Sequence, residues 1–215
     1  MALKKNLDMV IYEKLYEEIL RGNWSPEQPL VLDDLAANYG VSRTPVQQAL
    51  KRMHAQGMVV FSSKGHFSVP AFTPKDVRDI IEVRLLLERQ AIFDIQHKGR
   101  SIDFGTLEKL SSECAASNMQ DNIVQARRTD LEFHRVLVEQ ADNGCLNEVY
   151  HRIQGQFMVA NYLLTSHTRS QQRIAADDHE KILRALRDAD YARAQALSQT
   201  HIQDACDKII GKMGG

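Results

Sequence analysis

Two short amphipathic helices joined at a glycine constrain the fold of this chain more than any other feature of its sequence. The segment reads LVLDDLAANYGVSRTPVQQALKRMHAQGMV, from Leu30 to Val59. Gly40 suits the left-handed position that ends many helices. Ser42 is a good N-cap, and Pro45 is tolerated in a first helical turn, where its missing N–H would have no partner. The segment therefore predicts a helix, a tight turn and a second helix that begins near Arg43.

The second helix has one apolar face and one polar, basic face. The apolar face repeats at positions i, i+3, i+4 and i+7 and consists of Val46, Ala49, Leu50 and Met53. The opposite face consists of Arg43, Thr44, Gln47 and Lys51. It has no carboxylate, whereas a solvated helix face normally mixes both signs. This pattern favours a helix that faces a polyanion, although the segment alone leaves open a surface helix that happens to lack acids.

The flanking segments complete a winged helix-turn-helix. An amphipathic helix over Met9–Leu20 comes first, with Trp24 after it as a core anchor. Two β-rich runs follow the helical pair, Met58–Phe61 and His66–Val69, around a Ser-Ser-Lys-Gly turn. In such folds the second helix enters the DNA major groove and the wing contacts the backbone or minor groove. The predicted wing tip consists of Lys64, Gly65 and His66.

The segment DDLAANYGVSRTPVQQALKRMHAQGMV resembles the N-terminal domain of the GntR family of bacterial transcription regulators. The resemblance spans about sixty residues and implies a DNA-binding regulator. It is incomplete at Asp33 and Gln47, where relatives often have Arg, so the operator sequence cannot be transferred. Gln47 can read adenine through paired contacts or touch phosphate only.

Length and composition predict a two-domain cytoplasmic protein. The chain has 215 residues, 43% of them hydrophobic, and we expect no membrane span. Residues 1–74 have eight Lys/Arg and seven Asp/Glu, so DNA binding must depend on a local basic patch that dimerisation doubles. The three cysteines have no CxxC spacing, which favours reduced thiols.

The segment SVPAFTPKDV marks the predicted boundary, between a DNA-binding domain over 1–72 and a second domain over 73–215. Thr73 can cap a helix that has Pro74 in its first turn. No strand is predicted beyond it. The periodic segments predict a mainly α fold, with an all-α antiparallel bundle of six or seven helices after the winged helix. These segments are 76–97, 106–118, 122–141, 146–166, 171–187 and 191–212.

Four side chains in the bundle combine metal-ligand chemistry with interior helical positions. Asp130 and His134 are four residues apart and share a face with Leu137. His179 and His201 lie at similar distances on either side of a predicted turn, so that they face each other in an antiparallel helix pair. One carboxylate and three imidazoles suit Zn²⁺, Ni²⁺ or Mn²⁺ with open coordination positions. An Asp–His proton network without metal is the alternative.

The second half resembles the FCD domain, the helical effector-binding domain of the FadR branch of GntR regulators. The similar segments are EVRLLLERQA, DLEFHRVLVEQADN and DHEKILRALRDADYARA, and the compact form resembles the VanR-like subgroup. In many FCD proteins the corresponding Asp and three His bind a divalent metal. The resemblance therefore implies the same role for Asp130, His134, His179 and His201.

Two arginines are candidates for holding a carboxylate effector. Arg84 is followed four residues later by Glu88, which predicts either an exposed ion pair or a guanidinium aimed into the bundle beside the metal. Arg173, ahead of His179, is the weaker candidate. The leading interpretation is a dimeric regulator, acting as a repressor on a palindromic operator, that senses a small carboxylate and is not an enzyme. The alternatives are a metal-dependent hydrolase and a DNA-binding regulator with a purely structural metal.

Overall fold

A computed structural model describes residues 7–63, 65–164 and 169–213, without the side chains of 164 and 169–175. The described part contains nine helices and three strands of two residues each. The helices are α1 (Leu7–Arg21), α2 (Leu32–Tyr39), α3 (Arg43–Ala55), α4 (Pro74–His97), α5 (Phe104–Met119), α6 (Ile123–Glu139), α7 (Gly144–Leu164), α8 (Arg169–Arg187) and α9 (Tyr191–Met213). The strands are β1 (Pro29–Leu30), β2 (Val60–Phe61) and β3 (Phe67–Ser68).

The predicted helix-turn-helix is formed by α2 and α3. Gly40 ends α2 in the left-handed conformation, with φ 64°, and its N–H donates to carbonyls of the last turn. Ser42 occupies the N-cap position of α3, but its hydroxyl makes no capping hydrogen bond. The apolar face of α3 is buried as predicted, against α1 and α2. Trp24 is buried in the same core.

The wing belongs to a three-stranded antiparallel sheet in the order β1-β3-β2. The predicted pair of strands is present as β2 and β3, and β1 adds a third strand through the pairs Pro29 with Ser68 and Leu30 with Phe67. No sequence pattern indicated β1, because a two-residue strand that starts at a proline has no alternating pattern. The strand fixes the base of the wing against the segment that follows α1.

Six described helices, α4 to α9, form the predicted bundle. Thr73 and Asp76 form a capping box at the start of α4, and Pro74 is in its first turn. This helix continues without a break to His97, so the described residues give the six-helix alternative. Within the bundle α5 packs on α6 and α8, and α4 packs on α9 and α7. None of the described helices is long and apolar enough to cross a membrane.

The two parts of the chain share one continuous apolar core that includes residues of α1, α3, α7 and α9. The backbones of the two parts approach closely between α7 and the end of α3. A Cβ built on Gly155 of α7 would overlap the carbonyl oxygen of Gln56. A Cβ on Gly57, whose φ is 74°, would lie 2.7 Å from the carbonyl oxygen of Arg152. The backbones of the two parts are therefore in direct contact, without intervening side chains.

Candidate functional site

The structure exposes every predicted base-reading residue of α3. Arg43, Thr44, Gln47 and Lys51 all point to solvent on the side opposite the buried face. The Nε of Arg43 lies 3.2 Å from Oδ1 of Asp33, and both side chains are mostly exposed. An exposed ion pair of this kind contributes little to stability, so Arg43 can exchange Asp33 for another anion at low cost.

The wing tip is only partly described. Gly65 is exposed, has φ 82° and has open space around the position of a Cβ. His66 is exposed, and its Nδ1 lies 3.1 Å from the hydroxyl oxygen of Ser62 across the turn. Lys64 lies outside the described residues. The described part of the tip is therefore free to approach a DNA backbone.

The four predicted metal ligands lie together in the centre of the bundle. Asp130 and His134 come from α6, His179 from α8 and His201 from α9. Each offers one ligand atom, and these four atoms all lie within 4.8 Å of one another. His179 Nε2 is 3.4 Å and His201 Nε2 is 3.9 Å from the same oxygen, Oδ1 of Asp130. Three helices thus converge on one oxygen.

The surroundings of these side chains fit a cation. Nε2 of His134 and both ring nitrogens of His179 are buried without a hydrogen-bond partner, which is costly unless another group engages them. Burial lowers the pKa of His134, and it lowers the pKa of His179 to about 4, which favours the neutral form of each ring. Neutral imidazoles and an ionised carboxylate are what a transition metal requires.

Asp130 stays ionised in this setting. Burial alone would raise its pKa, but the neighbouring imidazoles, His179 first, bring the pKa of Asp130 well below its usual range. Its side chain keeps a limited exposure. The cluster therefore holds one negative charge that is close to solvent and has no cationic side chain directly paired with it among the described contacts.

Glu88 is a second carboxylate near the cluster, buried in the bundle and in contact with His134. Oε2 of Glu88 lies 3.1 Å from His134 Nδ1 and accepts a hydrogen bond from Ser198 at 2.8 Å. Oε1 accepts from Tyr150 at 2.7 Å and from Nε of Arg84 at 2.9 Å. Burial would raise the pKa of Glu88, but His134 and Arg84 lower it well below the usual range. Residues from four helices thus meet at one ionised carboxylate.

The predicted pair of Arg84 and Glu88 is present but buried, with Arg84 only 2% exposed. The exposed ion pair considered as one alternative is therefore wrong. The Arg84 guanidinium also lies 4.2 Å over the ring of Phe157. It points into the bundle, and at least one of its donors is already engaged by Glu88. The side chain of Arg173 lies outside the described part of α8.

Sequence reasoning missed the side chains that surround the histidines. Glu88 was recognised only as the partner of Arg84, although it follows Ile81 and precedes Ile92 and Ile95 on one helical stripe, which is the signal of an interior position. Asp178 lies 3.6 Å from His201 Nδ1, measured from Oδ2. Phe133 stacks on His179 with ring centroids 4.0 Å apart. No spacing rule relates Asp178 to His201, because their contact crosses from α8 to α9.

Helix α6 also contacts the DNA-binding part directly. Arg127 donates to the backbone carbonyl of Leu20 at the end of α1, and its guanidinium lies 4.6 Å over the ring of Tyr162. Arg128 donates to Glu13 of α1 at 2.9 Å. These two arginines precede the metal-cluster residue Asp130 by three and two positions. The same helix therefore holds two members of the cluster and two contacts to α1.

Comparison with known proteins identifies both parts of the chain. The family model described as bacterial regulatory proteins, gntR family, matches residues 8–69, and the FCD domain model matches residues 79–204. The predicted boundary at 72 and 73 lies in the unmatched segment between them and stays a prediction. The VanR-like assignment within the family also stays a prediction.

Relatives and solved structures agree with the two family models. The HTH-type transcriptional regulator YdhC of Bacillus subtilis (strain 168) is 22% identical over 92% of this chain and 88% of its own. The HTH-type transcriptional repressor GlaR of Escherichia coli (strain K12) is 23% identical over 95% and 96%. The structure of E. coli McbR/YncC superposes with a TM-score of 0.80 at 18% identity, over 95% of this chain and 97% of that one, which shows a shared fold. The chain therefore belongs to the GntR family of bacterial transcription regulators and has an FCD domain as its helical second part.

Proposed function

We propose that this chain is a repressor that binds a palindromic operator as a homodimer and releases it when a small carboxylate binds beside a divalent metal in the FCD domain. The observation that most supports this function is the position of the Asp130 cluster on α6, the helix that also contacts α1 through Arg127 and Arg128. The name of the relative GlaR supports repression rather than activation.

The exposed basic face of α3 supports the DNA contacts, with the wing tip at Lys64, Gly65 and His66. Arg43→Ala should weaken operator binding by ~1–3 kcal/mol if Arg43 contacts a base edge. The matched control is Lys109→Ala, which removes the same charge from an exposed position on α5. Anisotropy titrations at physiological salt measure both variants. Equal losses in the two variants would mean that Arg43 acts through general charge only.

An apolar stripe on α4 supports the homodimer. Val83, Leu86 and Phe93 lie on one exposed face of this helix, with 52% of Leu86 accessible, and a stripe of this kind favours association with another surface. Leu86→Glu should shift the protein from dimer to monomer in analytical ultracentrifugation. Val149→Glu alters a comparably exposed apolar residue, 48% accessible, on α7. If Val149→Glu dissociates the dimer and Leu86→Glu does not, the interface is elsewhere.

The close grouping of one carboxylate and three imidazoles supports a Zn²⁺, Ni²⁺ or Mn²⁺ site formed by Asp130, His134, His179 and His201. A metal bound there supplies a Lewis acid with open positions for an effector carboxylate. Elemental analysis of metal-loaded protein should give about one ion per chain on this four-ligand model. A stoichiometry near zero in wild type would remove the metal from the proposal.

Arg84 is the proposed second contact of the effector, and its burial beside Glu88 determines which variant tests it. Replacement by Ala would leave Glu88 without its cationic partner, whereas Arg84→Lys keeps the charge and loses the planar guanidinium. Calorimetric titration of an active acid into both proteins, each loaded with metal, should show weaker binding to Arg84→Lys. Equal affinity would leave the metal as the only anchor of the acid. Arg173 is the alternative anchor.

Coupling between effector and operator must be reciprocal. An acid that weakens operator binding tenfold should itself bind tenfold more weakly to the DNA complex, a difference of ~1.4 kcal/mol. Three routes can transmit this energy: the segment from Pro70 to Pro74 that enters α4, the contacts of Arg127 and Arg128 with α1, and the backbone contact of Gly155 with Gln56. Arg128→Gln breaks the ion pair with Glu13 and should reduce the coupling while leaving metal affinity unchanged. An unchanged coupling would favour the other two routes.

A further inference from the structure

The three imidazoles of the cluster are supported in two different ways. His134 has Glu88 at its Nδ1, at 3.1 Å, and His201 has Asp178 at its Nδ1, at 3.6 Å. His179 has no carboxylate behind its ring: its Nε2 lies 3.4 Å from Asp130 Oδ1 inside the cluster without hydrogen-bond geometry, and the ring stacks on Phe133 with an interplanar angle of 14°. Two of the rings therefore have a carboxylate near Nδ1, and the third packs against the ring of Phe133.

The carboxylates determine which ring nitrogen can bind a cation. A neutral imidazole has one N–H and one lone pair, and a carboxylate at Nδ1 favours the tautomer with the proton on Nδ1. The lone pair then lies on Nε2. In His134 this is the buried nitrogen without a partner, and in His201 it is the nitrogen that faces Asp130. Both carboxylates thus direct a lone pair toward the centre of the cluster.

We propose that Glu88 and Asp178 are positioning residues of the metal site, which fix His134 and His201 as Nε2 ligands. This inference rests on the proposed metal binding for its effect on affinity, but the tautomers exist without the metal. Carboxylates that hold ligating histidines also raise the basicity of the ring, and their removal typically lowers metal affinity about 10- to 100-fold.

The two positioning residues differ in what else they do. Glu88 is buried and accepts hydrogen bonds from Arg84, Tyr150 and Ser198, so these contacts also join α4 to α7 and α9. Asp178 is partly exposed, and its other contact is an ion pair with Lys181 on its own helix. Removal of the Glu88 charge should therefore change both stability and metal affinity. Removal of the Asp178 charge should change metal affinity with little effect on folding.

Asp178→Asn is for this reason the more informative variant, and Asp177→Asn is its matched control. Asp177 is the preceding residue, is exposed, and loses the same charge on substitution. We expect Zn²⁺ affinity, measured by competition with a chelating indicator, to fall about 10- to 100-fold in Asp178→Asn and in Glu88→Gln. Asp177→Asn should match wild type.

The second measurement is made on metal-free protein with ¹⁵N-labelled histidine. In wild type we expect His134 and His201 to have protonated Nδ1 and unprotonated Nε2. Glu88→Gln should alter the tautomer population of His134 only, and Asp178→Asn that of His201 only. If wild type binds no Zn²⁺, the proposed metal site fails, and the tautomers alone decide this inference. Unchanged tautomers in both variants would overturn the inference. If wild type binds Zn²⁺, an unchanged Zn²⁺ affinity in both variants would also overturn it.

Discussion

Helices α3 and α6 each bury one face, but they bury different chemistry. The buried residues of α3 are Val46, Ala49, Leu50 and Met53. The buried residues of α6 include apolar side chains and also the polar side chains of Arg127, Thr129 and His134. The same contrast holds across the described part of the chain. Leaving tyrosine aside, the buried side chains with a charge, an amide, a hydroxyl or an imidazole all lie in the bundle, and none lies in residues 7–63 or 65–72.

The two faces differ in what their burial contributes to stability. An apolar face contributes free energy of folding by leaving water and needs no partner of particular chemistry. A buried imidazole without a hydrogen bond costs free energy until another group engages it. The described DNA-binding part therefore has no such cost, whereas the proposed metal would offset it in the bundle.

The largest effect should come from truncating the apolar face. Leu50→Ala removes a fully buried side chain from α3 and leaves a cavity, which should lower the free energy of unfolding by ~2–5 kcal/mol. Urea denaturation measures this loss. The Zn²⁺ affinity of the folded variant should be unchanged. A loss of Zn²⁺ affinity in Leu50→Ala would mean that the core around α3 and the metal cluster in the bundle are energetically coupled.

The next effect concerns the metal. Zinc at about 100 times its dissociation constant should raise the free energy of unfolding of wild type by ~2.7 kcal/mol. His179→Ala should abolish this protection, measured as the difference in Tm with zinc and with chelator. His54→Ala is the control, since His54 lies in the DNA-binding part, where it contacts the carbonyl of Val59 at 3.0 Å and the ring of Phe67. Loss of protection in the control would place a zinc site outside the bundle.

Adding one methyl group at the junction between the two parts should lower the free energy of unfolding. Gly155→Ala forces the new Cβ against the Gln56 carbonyl, and overpacking of this kind costs ~1–3 kcal/mol. Gly144→Ala, in the same helix, meets nothing within 4 Å and should leave stability nearly unchanged. Hydrogen exchange around Gln56, together with denaturation, compares the variants. Equal behaviour would show that the junction is loose in solution.

The smallest effect is a dependence on pH in the metal-free protein. Burial lowers the pKa of His179 to about 4, below the usual 6.5, so the unfolded chain binds its proton at higher pH. The free energy of unfolding should therefore fall as pH drops below 6.5, by ~1 kcal/mol between about pH 7.5 and about pH 5.5. Burial also lowers the pKa of His134, which acts in the same direction. His179→Gln should show a shallower pH dependence; an identical slope would assign the effect to other groups.

Most of the helical architecture followed from periodicity and caps. The α3 stripe, Gly40 and the Thr73 cap all fix local structure within one turn, so the sequence around them was sufficient. Strand β1 was missed because its two residues are held by partners in β3, almost forty positions later along the chain. Contacts at such separation leave no local pattern.

In the candidate site, too, the sequence indicated what depends on local spacing and missed the contacts between helices. Spacing placed Asp130 with His134 on one helix face, and the antiparallel turn placed His179 opposite His201. Spacing did not indicate Glu88 or Asp178 as neighbours of the histidines, because each contact crosses between helices whose relative rotation is set by the packed core. The family resemblance implied the roles of the ligands, included Glu88 only as the partner of Arg84, and was silent on Asp178.

The backbone contact between Gly155 and Gln56 has a mechanical consequence for this regulator. Side chains at an interface can change rotamer and absorb a small displacement, but two touching backbones have no such compliance. A tilt of α7 should therefore move α3 with it. Helix α3 has 13 residues and is ~20 Å long, so a tilt of ~5° moves its far end by ~1.7 Å. That displacement exceeds the range of distances over which a hydrogen bond to a base edge survives, so under the proposed function a rotation of a few degrees in the bundle would be enough to break contacts between α3 and a base edge.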